Sequence, residues 1–290
     1  MHHLRYQTKS QPELILNLFQ HGLIEKGVNI TDGGANFYNM CVDGSGLAVV
    51  ADSFAACQQR VDTERKLDYS QLTDLMRNDF AGKEGEYQRQ MLLHSERYGG
   101  GDTLGDDWAV RISQKYTELV RDLNEQHPGI NFIPGFFSWS NTIALGKTVG
   151  ATPNGRRAGE PINHGANPNG GFRKDGAVSA MCNSIAAIQP GYGNCAPVQL
   201  ELDPAIANDE EGVRKMADMV KTIMDSGNTL LNINIIDGKK ILQAHDDPLK
   251  YPDLVVRVTG FTAFFAMLSP EFRQLVVDRV LAVNPELKEN

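Results

Sequence analysis

The sequence predicts an α/β protein. Segments with apolar residues at helical spacing alternate with short β-branched runs, and glycine or proline punctuates most joins. The chain's 290 residues are enough for one large domain or two small ones, and no linker cleanly divides them.

Taken in order, Leu14, Ile15, Leu18 and Phe19 give Pro12 to Ile24 a helical face that ends at His21-Gly22. A glycine-rich loop from Asp32 to Gly46 follows. Val49 to Val61 reads as a helix, Ser70 to Phe80 as a second with Ser70 as its N-cap, and Tyr87 to Arg97 as a third. Ile112, Tyr116, Leu119, Val120 and Leu123 share one face of a long helix that stops before Pro128-Gly129. Ile130 to Phe137 and Asn141 to Leu145 read as strands. The stretch from Gly146 to Gly176 is rich in glycine and proline and too long for an ordinary connector; loops of that length usually serve function or are disordered. Val213, Met216, Val220 and Ile223 mark an amphipathic helix closed by Gly227 at C′. Thr229 to Ile236 reads as a strand, Lys239 to His245 as a short helix, Leu254 to Val258 as a strand, and Ser269-Pro270-Glu271-Phe272 as a helix start.

Bulk properties narrow the function. A hydrophobic content of 41%, a charged content of 22% and a mean hydropathy of −0.33 are those of a globular protein in water. A net charge of −8 and a pI near 5.4, with no basic stripe, argue against a nucleic-acid partner. No apolar run approaches a membrane span, and the N-terminus lacks the build of a signal peptide, so cytoplasmic residence is expected. The four cysteines, Cys41, Cys57, Cys182 and Cys195, form no C-x-x-C, and the seven histidines form no H-E-x-x-H, so a resident metal is not expected. Cys57 and Cys182 fall on helical patterns and read as small buried hydrophobes.

The most informative stretch is Leu254 to Phe265. An apolar run stops at Gly260 and resumes as an aromatic-rich run. Glycine within a strand-like run marks a bulge or a close approach. It has a chemical meaning too: with no Cβ, loss of one Cα hydrogen leaves a planar radical stabilised by the flanking amides. A second block, Gly150 to Pro161, contains Thr152-Pro153-Asn154-Gly155-Arg156, a tight turn followed by basic residues. Further blocks are Gly33-Gly34-Ala35-Asn36 with Ala51-Asp52-Ser53-Phe54, Gly165-Ala166-Asn167-Pro168 with Asp175-Gly176-Ala177-Val178, and Asn232-Ile233-Asn234 running on through Asp247-Pro248.

In order and spacing these five blocks resemble the glycyl radical enzymes, the pyruvate formate-lyase group. The resemblance implies a ten-stranded α/β barrel built of two halves, of which this chain is similar to the second half with its glycine-radical loop. It implies a division into residues 1–145, the C-terminal part of the barrel domain, and 146–290, the glycine radical domain. It implies that Gly260 carries the radical, that Arg257 anchors the loop through carboxylate or carbonyl contacts, and that Phe261, Phe264 and Phe265 seat it in an apolar, dry environment. Thr152, Pro153, Asn154, Gly155 and Arg156 would line or brace the barrel mouth. No bound cofactor is expected beyond a glycyl radical on Gly260, installed by a separate activating enzyme that uses S-adenosylmethionine and an iron–sulfur cluster.

One departure shapes the functional expectation. The family's thiyl-forming cysteine belongs to the first half of the barrel, and none of the four cysteines here has a matching context; Cys41 and Cys195 lie in loop-like stretches. The chain is therefore expected to be the radical-bearing C-terminal portion of a lyase or acyltransferase of formate C-acetyltransferase type acting on a small carbon substrate. It would be silent alone, and paired with an N-terminal half or a dimer partner. The alternative is a non-catalytic spare-part module that supplies a glycine loop to a partner enzyme. Spare-part proteins of this family are much shorter, which disfavours it.

Overall fold

The structure, a computed structural model, describes residues 7–137, 141–163, 165–169, 178–189, 195–258, 260–283 and 287. The chain divides into two compact units, Met1–Val42 with Leu119–Ile133, and Asp43–Glu118 with Pro134–Asn290. The class is α/β, and the described strands form three two-stranded pairs.

β1 (Asn39–Asp43) pairs with β2 (Asn131–Gly135), and the first unit holds Asn39–Val42 of the one and Asn131–Ile133 of the other. Asn124 brackets Phe132 of β2, accepting from its N–H at 2.6 Å and donating to its carbonyl at 3.1 Å. The helix expected over Pro12 to Ile24 is replaced by a 3-10 turn, Leu16–Phe19, and a single helical turn, Leu23–Lys26. Gln20 is extended and Gly22 has φ +78°, so the backbone breaks between them. Leu14, Ile15, Leu18 and Phe19, the residues of the expected face, are all exposed.

The second unit opens with α1 (Leu47–Ala56), which widens into a π-helix, Cys57–Thr63. The next helix, α2 (Tyr69–Arg77), is capped by Asp68 rather than Ser70: Asp68 accepts from the Gln71 N–H, and the Gln71 side chain accepts from the Asp68 N–H. This reciprocal box satisfies two N–H groups that have no partner within the helix. Then come α3 (Gly82–Leu93) and the long α4 (Leu104–Gln126), whose final turns from Leu119 belong to the first unit. The Asn141 to Leu145 segment, expected as a strand, is a helix, α5 (Thr142–Lys147). Thr142, Ile143 and Gly146 are its buried residues, a helical spacing that a short apolar run cannot announce by itself.

After α6 (Val178–Ala187) the chain forms a β-α-β unit. Strand β3 (Val198–Leu202) runs parallel to β4 (Leu231–Ile235), joined through α7 (Glu210–Asp225). Asp209 caps α7 by accepting from the Gly212 N–H at 2.7 Å, and Gly227, at φ +103°, follows its end as expected. Then α8 (Gly238–Asp246) precedes the antiparallel hairpin β5 (Val255–Arg257) and β6 (Thr262–Phe264), and α9 (Pro270–Val283) closes the described chain.

Among the described residues, three apolar clusters hold this unit. One gathers α1, α4, α6 and β3 around Met181, Ile185 and Val198. A second packs α2 and α3 around Leu72, Phe80 and Leu92. The third seats the hairpin on α8 and α9 through Val256, Val258, Ile241, Phe265 and Val276. Among the described residues, no helix is long and apolar enough to cross a membrane.

Candidate functional site

The β5–β6 hairpin places Gly260 at its tip. Register pairs Val255 with Phe264, Val256 with Ala263 and Arg257 with Thr262. Beyond the ladder the Val258 N–H donates to the Phe261 carbonyl at 2.9 Å, leaving a two-residue connection whose second residue is Gly260 at φ +84°. That conformation suits glycine, because an L side chain there meets the neighbouring carbonyl. The backbone accounts for a glycine at this point without reference to chemistry. It also leaves the Cα as a bare methylene at the apex of a turn, partly exposed.

The hairpin's two faces differ. Val256 and Val258 are buried, and the Phe265 side chain is fully buried beneath them. The opposite face carries Val255, Arg257, Thr262 and Phe264. Phe261 is 43% exposed and Phe264 48%, so among the three phenylalanines expected to seat the loop only Phe265 lies in an apolar environment within this chain. Arg257 Nη1 donates to Thr262 Oγ1 at 3.2 Å and Nη2 to the amide oxygen of Asn232 at 3.3 Å. No carboxylate accepts from its side chain in these contacts.

Next to the hairpin lies a polar face, of which only Asn232 and Asn234 belong to a block the sequence singles out. Strand alternation turns Gln199 and Glu201 of β3 to one side, and the parallel register sets them against Asn232 and Asn234 of β4. All four are buried. Glu201 accepts from Asn234 Nδ2 at 2.7 Å and from Gln199 Nε2 at 3.4 Å, and its Oε1 lies 3.3 Å from Arg279 Nε of α9 in an ion pair. Burial pushes the Glu201 carboxyl up from its ordinary range, with Arg279 opposing, and burial lowers Arg279, with Glu201 opposing. Asn234 accepts from the Arg257 N–H at 3.2 Å, while Arg279 donates to the Val258 carbonyl at 2.7 Å and to the Arg257 carbonyl at 3.1 Å. The alternations Val198-Gln199-Leu200-Glu201 and Leu231-Asn232-Ile233-Asn234 are the sequence signal for this face.

The 150–160 loop is organised around its own backbone. Gly155 N–H donates to the Thr152 carbonyl at 3.0 Å and Thr152 N–H to the Arg156 carbonyl at 2.9 Å, a turn with Pro153 at its first corner and Gly155 at φ +85°. Thr152 Oγ1 donates to Asn154 Oδ1 at 2.7 Å. Arg156 is buried, and its guanidinium donates to the carbonyls of Gly146 at 2.9 Å, Gly150 at 2.8 Å and Glu160. Burial lowers its pKa, with Glu160 and Asp79 opposing. Arg157 reaches outward to Glu86 of α3 at 2.7 Å. Arg156 is thus a brace that ties the loop to itself and to the end of α5, and its hydrogen bonds end on backbone carbonyls. Asn167 accepts from the Gln199 N–H at 3.0 Å, joining the neighbouring block to β3. The stretches Asp175-Gly176-Ala177 and Gly191 to Asn194 lie outside the described residues.

The cysteines are dispersed. Cys182 is buried as expected and its thiol is pushed up to about 11 by burial; Cys57, on the π-helix, is only partly buried. Burial also raises Cys57 and Cys195, assisted by Asp62 and Asp43 respectively. Cys41 is exposed. Among the described residues, no three His, Cys, Asp or Glu side chains converge to hold a metal ion.

Comparison with known proteins gives the geometry a family. The Pyruvate formate lyase-like family model matches residues 1–146, and the Glycine radical model matches residues 162–266, a span that contains the Gly260 hairpin. The chain is 28% identical over 239 residues to the isethionate sulfite-lyase of Oleidesulfovibrio alaskensis, covering 81% of this chain and 28% of that protein. It is 29% identical over 245 residues to formate acetyltransferase 1 of Escherichia coli, covering 81% of this chain and 30% of that protein. Its fold is similar to a solved structure concerned with 1,2-propanediol dehydration in Roseburia inulinivorans, with TM-score 0.85, 26% identity, and coverage of 95% of this chain and 35% of that one. The chain thus spans about a third or less of the length of these relatives. With one model matching its first half, the other matching the hairpin region, and the fold shared at that similarity, the chain belongs to the pyruvate formate-lyase-like, glycyl radical enzyme family.

Proposed function

We propose that this chain is the radical-bearing portion of a glycyl radical lyase, with Gly260 as the radical site, acting on a small oxygen- or sulfur-substituted carbon substrate. The observation that carries the reading is Gly260 at the apex of a two-residue hairpin connection, at φ +84°, inside the segment matched by the Glycine radical model. A glycine Cα flanked by two amides supplies, once one hydrogen atom is removed, a stored spin for hydrogen-atom transfer. The chain's own residues do the rest: Val256, Val258 and Phe265 seat the hairpin, Arg257 ties it to β4, and Arg156 braces the 152–156 loop. Activation falls to a separate enzyme using S-adenosylmethionine and an iron–sulfur cluster. The remainder of the barrel, including the cysteine loop, is supplied by the rest of the enzyme.

The lyase reading rests on relatives named for sulfite release and diol dehydration. Acyl transfer of the formate C-acetyltransferase kind is the second reading, and the similarity to formate acetyltransferase 1 favours it. A spare-part module fits less well, because similarity extends over 95% of the chain and not the hairpin alone.

The test is anaerobic activation followed by electron paramagnetic resonance. A doublet from the single remaining Cα hydrogen is expected in the wild type and absent in Gly260→Ala. A doublet that survives the substitution removes Gly260 from the reading. Assay of the activated chain with an N-terminal portion, on 1,2-propanediol, isethionate and pyruvate in parallel, separates the lyase from the acyltransferase.

A further inference from the structure

We propose that Arg279 and Glu201 are positioning residues for Gly260, a role that rests on the reading of Gly260 as the radical site. The hairpin by itself is a small ribbon. Its strands are three residues each, and its outer face carries the exposed Val255 and Phe264. A two-stranded ribbon of that length has little capacity to fix its own tip.

The missing constraint comes from hydrogen bonds across four elements, joined into a ring by the ion pair between Arg279 and Glu201. Asn234 on β4 holds the Arg257 N–H, and Arg279 on α9 holds the carbonyls of both Arg257 and Val258. Glu201 on β3 joins the two holders, accepting from Asn234 Nδ2 at 2.7 Å and facing Arg279 Nε at 3.3 Å. Arg257 is therefore gripped at its N–H and at its carbonyl by groups that share one carboxylate. The planar guanidinium suits this task, because its two terminal nitrogens can address adjacent carbonyls while Nε turns toward Glu201. Glu201 is buried, so its pairing with Arg279 is screened less than a surface pair.

Neither residue touches Gly260. Arg279 acts through the carbonyls of Arg257 and Val258, and Glu201 acts through Arg279 and Asn234; this backbone leads to Gly260 and sets where its Cα stands. Displacement of a reacting atom by about 1 Å can cost on the order of a hundredfold in rate, so holding this backbone in place bears directly on hydrogen-atom transfer at Gly260.

The test uses the 290-residue chain as wild type, Arg279→Met, Arg279→Lys and Glu201→Gln. Amide hydrogen exchange over Leu254 to Phe265 is measured without activation, and the resonance signal is measured after anaerobic activation. Arg279→Met should raise hairpin exchange by about tenfold or more, with protection in α1, α3 and α7 unchanged, and should lower the spin yield and alter the doublet splitting. Arg279→Lys should recover part of both, since an ammonium can hold one carbonyl but not two in a fixed plane. Glu201→Gln should move both readouts in the same direction by a smaller factor. Wild-type hairpin exchange in Arg279→Met overturns the proposal. If Arg279→Met does not fold, the near-isosteric Glu201→Gln decides it by the same criterion. A wild-type chain without a doublet defeats the radical reading, while the exchange measurement still decides whether the ring holds the hairpin.

Discussion

Val255 and Phe264 stand directly opposite each other in the β5–β6 ladder, and both turn outward, at 45% and 48% exposure. The next pair along the ladder, Val256 and Ala263, faces the α8–α9 cluster instead. The hairpin that carries Gly260 thus has one face seated on its own unit and one that leaves Val255 and Phe264 bare beside the Arg257–Thr262 pair.

That bare face predicts self-association of the isolated chain. Phe264→Glu should shift the purified chain toward monomer in sedimentation. Its melting point should stay close to wild type, since an exposed cross-strand pair contributes only about 0.2–1 kcal/mol. Unchanged association would place the sticky surface elsewhere.

Gly260→Ala tests conformation and chemistry together. At φ +84° an alanine costs roughly 1–2 kcal/mol, so a modest fall in the denaturation midpoint is expected. The activated wild type, exposed to air, should be cut at Gly260 and lose the segment to Asn290 in intact mass spectrometry, because a backbone carbon radical adds oxygen. Activated Gly260→Ala should stay whole. A wild-type chain of unchanged mass after exposure would count against the radical assignment.

Arg156→Met should destabilise the fold by about 1–3 kcal/mol, because it removes a buried guanidinium and strips the donor from the buried carbonyl of Gly146 and the part-buried bonds to Gly150 and Glu160. Arg156→Lys should recover only a fraction, since one ammonium cannot span three carbonyls. Urea denaturation measures both. A loss under about 1 kcal/mol would mean that water takes over the guanidinium's role.

Glu86, like Glu64, contributes to the acid limb of the stability curve. Hydrogen bonds from Arg89, then from Gln90 and Arg157, lower its pKa from 4.5 to about 2. A carboxyl whose folded pKa is depressed contributes stability above the unfolded value and loses it as pH falls toward the folded one. The wild type should therefore lose stability between pH 4.5 and about 2, and Glu86→Gln should flatten that interval. Denaturant midpoints of both proteins across this range supply the comparison, and parallel curves would dismiss Glu86 as a contributor.

Local chemistry made much of the molecule legible. Gly227 closes α7, and Pro153, Asn154 and Gly155 build the 152–156 turn, because backbone preferences of proline, asparagine and glycine act within a few residues. The Gly260 segment was readable for the same reason. The α5 helix and the missing helix at Pro12 to Ile24 were not, since short apolar runs suit either element and the choice depends on what they pack against. The ring of Glu201, Asn234, Arg257 and Arg279 was out of reach for a different reason. Its members lie on four elements, and only the parallel register of β3 with β4 and the packing of α9 bring them together. The sequence by itself determined which glycine sits at the turn. The tertiary structure decided what holds that turn in place, because a buried carboxylate becomes a hub only where the fold delivers donors to it.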